Sequence, residues 1–146
     1  MKIYDNVLPE LQRKEVYDFL MDPGWMHGWK SRSGTDEYSF WHKHFAGSLK
    51  TDTREKPYDC AAELADDWCG PLGKFWTLLA GTLLKGHTLV RCYANGLQYG
   101  SDGTIHIDAV ATNSYTTVYY PHGNWDPNWA GETVFFNKEK TDIIGC

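Results

Sequence analysis

The chain has no long apolar run, no cluster of lysines and arginines, no Cys-x-x-Cys spacing, no internal repeat and no low-complexity segment. Each absence removes a class of protein. The N-terminal "MKIYDNVLPELQRKEVYDFL" scatters acidic residues through its length and holds no apolar core, so it reads as neither a secretory signal nor a membrane span, and a soluble cytoplasmic protein is the expectation. Fourteen Lys and Arg against nineteen Asp and Glu give a formal charge of −5, with no electrostatic footprint for nucleic acid or an anionic membrane. A small-molecule or peptide substrate is the expected partner. The four cysteines, Cys60, Cys69, Cys92 and Cys146, lack metal-ligand spacing, and in a chain of 146 residues they are expected to be reduced thiols and not a disulfide framework.

What is abundant is aromatic: seven Trp and nine Tyr, many of them in stretches without periodicity. Such side chains fill cores, and they also line concave ligand sites, where a flat apolar face and a polar tip are both useful. The length suits one domain.

Hydrophobic period divides the chain. Pro9 opens a helix in which Leu8, Leu11, Val16, Phe19 and Leu20 recur at near-helical spacing before "DPG" at 22–24 stops it. Residues 25–57 are rich in turn formers, with one short strand expected around Tyr38 to Trp41. Pro57 is read as opening a second helix with a stripe of Cys60, Ala61, Leu64, Ala65 and Trp68. A third carries Leu72, Phe75, Trp76, Leu79 and Leu83 and stops at Gly86. Beyond it the period falls to two: "HTLVRCYA" (87–94), "TIHID" (104–108), "YTTVYY" (115–120), "ETVFF" (132–136) and "TDII" (141–144) are expected strands. Helices followed by strands predict an α+β domain over 1–146, with 1–86 as helical and loop support and 87–146 as a β-strand core.

Within that second half, His106 and Asp108 stand two apart, so on a strand both side chains project to one side. An imidazole nitrogen and a carboxylate oxygen together suit Fe(II), Mn(II) or Zn(II). A lone His-x-Asp pair also arises by chance and then plays a structural or solvated part. His42 and His44 in "FWHKHFAG" would share a side if extended and with Trp41 could border a pocket, although an exposed loop is the plainer expectation; His122 is read as a turn residue, and His27 and His87 have no motif around them.

The ordered series around His106 carries more weight than the pair. "RCYANGLQYGSDGTIHID" followed by "TTVYYPHGNWDPNWAGETVFF" resembles the Fe(II)- and 2-oxoglutarate-dependent dioxygenases of the prolyl 4-hydroxylase type. The matching positions are Arg91, Cys92 and Tyr93, then Gly96, Tyr99 and Gly100, then His106 and Asp108, then Tyr119, Tyr120, Asn124 and Trp125, and finally "AGET" at 130–133. The resemblance implies a double-stranded β-helix, or jelly roll, supported by N-terminal helices. It implies His106 and Asp108 as the first two iron ligands and as the catalytic pair, with Tyr93, Tyr120 and Thr133 beside the 2-oxoglutarate. It also implies a hydroxylase that uses Fe(II), 2-oxoglutarate and O₂, with ascorbate as reductant, on a C–H bond of a peptide or small molecule. An aspartate at 108, where halogenating members carry a small residue, favours hydroxylation.

The sequence departs from that pattern in three places. Ala130 replaces the first glycine of "GGET", and the loop "ANGLQYGSDGT" is longer than common versions. The distal iron-binding His and the following basic residue for the 2-oxoglutarate carboxylate have no counterpart, so the chain is expected to be a truncated oxygenase domain with little turnover of its own. The alternative expectation is a non-catalytic or degenerate ligand-binding module on the same scaffold. A cupin-type metal protein is disfavoured, since no His-x-His followed closely by Glu surrounds His106.

Overall fold

A computed structural model describes residues 2–30, 34, 37–47, 59–101, 103–108 and 112–146. The expected helix start at Pro57 lies outside them. The chain is mixed α/β: a three-stranded antiparallel sheet and a separate two-stranded antiparallel pair, with two helices. Among the described residues the strands do not close into a barrel, and no helix is long and apolar enough to cross a membrane.

Helix α1 spans Glu10–Met21, with Pro9 at its N-cap, as the spacing predicts. Val16 and Leu20 are buried while Leu11, included in the expected stripe, is 71% exposed. The stretch read as a second helix forms two 3-10 turns, Ala61–Ala65 and Asp67–Cys69, broken by Asp66 in an extended conformation. Asp66, with ψ at 144°, makes the break, and Pro71 suits the first turn of the helix that follows. Helix α2 accordingly runs Gly70–Gly81, burying Leu72 and Leu79, and leaves Leu83 outside. Gly73 lets α2 approach the first 3-10 turn: a β-carbon there would sit 2.4 Å from the Leu64 carbonyl oxygen.

The larger sheet has the order β1 (Met26–Trp29), β2 (Phe40–Gly47), β3 (Arg91–Gly96). Two of its three strands thus precede residue 87, where one short strand was expected. In the β2–β3 register His42 faces Asn95 and His44 faces Tyr93, with an irregularity between His44 and Ala46. That bulge lets Phe45 and Ala46 both turn inward. They join Leu8, Val16, Leu20, Cys60, Leu64, Cys69 and Leu72 in one core, against which Cys92 and Ala94 of β3 also pack. One face of the sheet is therefore sealed by α1, α2 and the 3-10 turns. The other carries His42, His44, Tyr93 and Asn95.

The remaining expected strands divide. "ETVFF" and "TDII" meet as β4 (Phe135–Phe136) and β5 (Ile143–Gly145). Residues 104–108 and 112–122 lie outside strand ladders, and no backbone hydrogen bond from either is recorded among the described residues. In the second segment Tyr119 packs on Phe75 at 4.7 Å between ring centroids and adjoins the core, whereas Tyr120 turns away to Thr133. In the first, residues 105–108 are all exposed.

Polar ties fix β2 at its middle and at its end. The Gly47 N–H donates to Glu63 Oε2 at 2.8 Å. Lys43, only 7% exposed, donates from Nζ to the carbonyls of Phe19 and Asp22, each at 3.3 Å, while lying over the Phe19 ring. An ammonium at a helix C-terminus satisfies carbonyls that have no partner inside the helix and complements its dipole. Lys43→Met, which keeps the apolar stem and removes the charge, is expected to lower unfolding free energy by about 1–3 kcal/mol in urea titration. Lys14→Met, at an exposed pair with Asp18, is expected to cost at most about 0.5 kcal/mol. Equal effects would show that Lys43 does not anchor the helix end.

Candidate metal and ligand site

His106 and Asp108 come together: Nε2 of the imidazole lies 3.2 Å from the aspartate Oδ1. On its other side Nδ1 lies 2.6 Å from the Thr104 carbonyl oxygen. A carbonyl can only accept, so Nδ1 carries a proton and donates. In the neutral ring Nε2 is then a lone pair turned toward a carboxylate, two acceptors face to face. A second proton on the ring or a cation between them resolves that conflict. Orientation of a ligating imidazole by a backbone carbonyl on its far nitrogen is the arrangement metal sites use. Both side chains remain partly open to solvent. Among the described residues no group of three or more His, Cys, Asp and Glu is placed to hold a metal, so the pair offers two ligands and no third.

The three residues expected beside 2-oxoglutarate lie in three segments, two of them joined by a hydrogen bond. Tyr120 and Thr133 are joined by a hydrogen bond between their hydroxyls, which draws "YTTVYY" to "ETVFF". Tyr93 stands on β3, where Nη2 of Arg91 donates to its hydroxyl at 3.4 Å and the guanidinium lies 4.5 Å from its ring centroid. That end of the strand is rich in hydrogen-bond donors, as a carboxylate requires.

His42 and His44 are where sequence reasoning fell short. They sit in β2, not in an exposed loop, and His42 is 2% exposed. Its ring stacks on Trp29 at 4.1 Å and 9° and lies 5.2 Å from Tyr93, with His44 at 6.2 Å. Trp41, the expected companion, points elsewhere and packs on His27. His42 Nδ1 meets Asn95 Oδ1 at 3.0 Å, and His44 Nε2 donates to the Gly47 carbonyl at 2.7 Å. The far nitrogens, His42 Nε2 and His44 Nδ1, are buried with no partner. The signal in the sequence was the alternation in "FWHKHF", histidines at every second place among strand formers.

Other histidines belong elsewhere. His122 packs edge-on against Tyr17 and Trp125, beside an open groove of about 450 Å³ lined by Glu10, Leu11, Arg13, Lys14, Tyr17, Pro121 and Gly123. None of the expected site residues lines it. The cysteines form no disulfide, and burial pushes the Cys92 thiol up to about 12, with Cys60 and Cys69 adding to the effect. Such a thiol is inert as a nucleophile at neutral pH.

Compared with protein-family models, with curated proteins and with solved structures, the chain gives no match.

Burial pushes the His42 imidazole below its ordinary value of 6.5; the Asn95 hydrogen bond opposes this, and His44 and Arg91 add to it. Below about pH 6.5 the unfolded chain therefore binds more protons at this position than the folded one, and stability falls as pH falls. Urea midpoints measured from pH 7.5 down to about 5.5 are expected to drop, with a shallower slope in His42→Gln. An unchanged slope in that variant would show that His42 is not the group responsible.

Proposed function

We propose that the chain is part of an Fe(II)- and 2-oxoglutarate-dependent oxygenase that hydroxylates a C–H bond of a peptide or small molecule. The observation that carries this is the His106–Asp108 pair, whose Nε2 and Oδ1 lie 3.2 Å apart with the imidazole aimed by the Thr104 carbonyl. Imidazole and carboxylate are ligands of the facial triad of non-haem iron oxygenases. His106 and Asp108 would hold the metal; among the described residues no third His, Cys, Asp or Glu joins them.

When bound, Fe(II) with 2-oxoglutarate and O₂ supplies the oxidation: the substrate gains a hydroxyl while 2-oxoglutarate is converted to succinate and CO₂. The protein's part is positional. Thr104 holds the His106 ring in one tautomer, leaving Nε2 as donor to the cation. Tyr93, with Arg91 behind it, and the Tyr120–Thr133 pair offer hydroxyls to the carboxylates of 2-oxoglutarate. The fold we infer for the intact domain is a jelly roll in which 104–108 and 115–120 gain the ladder partners they lack among the described residues, for both segments are rich in strand formers.

Two ligands bind a divalent cation weakly, and removal of either should weaken it further. Calorimetry with Mn(II) is expected to show at least a tenfold loss of affinity in Asp108→Ala, a cost of about 1.4 kcal/mol or more. Equal binding by the variant would favour a metal-free ligand-binding module. Succinate release should remain low for these 146 residues and appear in a longer chain that supplies a distal His and a basic residue. No succinate from such a chain, given Fe(II), ascorbate and a panel of peptide substrates, would count against the oxygenase.

A further inference from the structure

We propose that His42 is the hydrogen-bond acceptor for a secondary amide, the peptide group of a substrate, seated on the polar face of the β1–β2–β3 sheet. His42 is 2% exposed, yet its Nε2 has no partner, an arrangement that is unfavourable for a polar atom unless a ligand or water completes it. The surroundings determine which ligand. Asn95 presents its carbonyl oxygen to Nδ1, so Nδ1 donates and Nε2 is left as a lone pair. His44, donating from Nε2 to Gly47, leaves a second bare lone pair at Nδ1 on the same face.

Two lone pairs repel carboxylates and phosphates. A cation is disfavoured as well, because the Arg91 guanidinium already occupies the Tyr93 ring beside them. What remains is a neutral donor. With the Trp29 ring stacked on the imidazole and Tyr93 tilted beside it, Nε2 is met edge-on in the ring plane, where a flat group with one N–H fits better than a branched alcohol.

Calling this amide a substrate rests on the oxygenase proposal; the hydrogen bond itself does not need the metal. The test is therefore made on metal-free protein by ¹⁵N spectra of the histidine side chains, with His42 assigned through its contact to Asn95. The free protein should show Nε2 as the unprotonated nitrogen. N-methylacetamide should move that resonance saturably in the direction of an accepted hydrogen bond. N,N-dimethylacetamide, which has a methyl in place of the N–H, should leave it unmoved. A proton found on Nε2, the same response to both amides, or no response to either would overturn the proposal, the last showing an ordered water or a purely structural histidine. Asn95→Leu should abolish the discrimination by releasing Nδ1; should that variant fail to fold, the wild-type titrations decide. Mn(II) affinity at Asp108 is unaffected by any of these outcomes, so the two proposals fail separately.

Discussion

Antiparallel pairing of β2 with β3 is the constraint on which both the core and the candidate site depend. A strand presents alternate residues to opposite sides, and here the two sides have opposite chemistry. Phe45, Ala46, Cys92 and Ala94 close the core against α1 and α2. His42, His44, Tyr93 and Asn95 stand on the reverse. A slip of one residue would put imidazoles into the core and phenylalanine on the polar face, so the burial of Phe45 also fixes where His42 points. Lys43 in the middle of the strand and Gly47 at its end hold it in that register, one through the last carbonyls of α1 and the other through Glu63.

On the polar face donors and acceptors interleave: Tyr93 stands opposite His44, with Arg91 beyond it, and Asn95 stands opposite His42. Arg91 and Tyr93 supply donors, while His42 and His44 each have one nitrogen engaged and one bare. The His106–Asp108 pair lies in a separate segment, with Nε2 3.2 Å from Oδ1.

Parts of the molecule governed by local rules were legible in the sequence. Helix α1 and the body of α2 follow from apolar period and from Pro9 and Pro71. The His-x-Asp pair was recognisable from its spacing, and Tyr120 with Thr133 from the ordered series around it. Strand β2 was not legible beyond its first residues, because its stability comes from partners far along the chain, Asn95 and Tyr93 among them, and "FWHKHFAG" by itself looks as polar as a loop. The same reason works in reverse at 104–108 and 115–120: their residues are strand formers, but a ladder also needs a neighbour. The second helix failed at Asp66, whose extended backbone divides the stretch into two 3-10 turns.

The central claim is that the cation site is His106 with Asp108 and that the buried His42 serves a different ligand. Paramagnetic broadening of the histidine ring resonances by substoichiometric Mn(II) tests this most directly. The expected result is broadening of His106 first and most strongly, lost in Asp108→Ala, with His42 still sharp when His106 has vanished. Broadening centred on His42 and His44, or spread evenly over all the histidines, would contradict it.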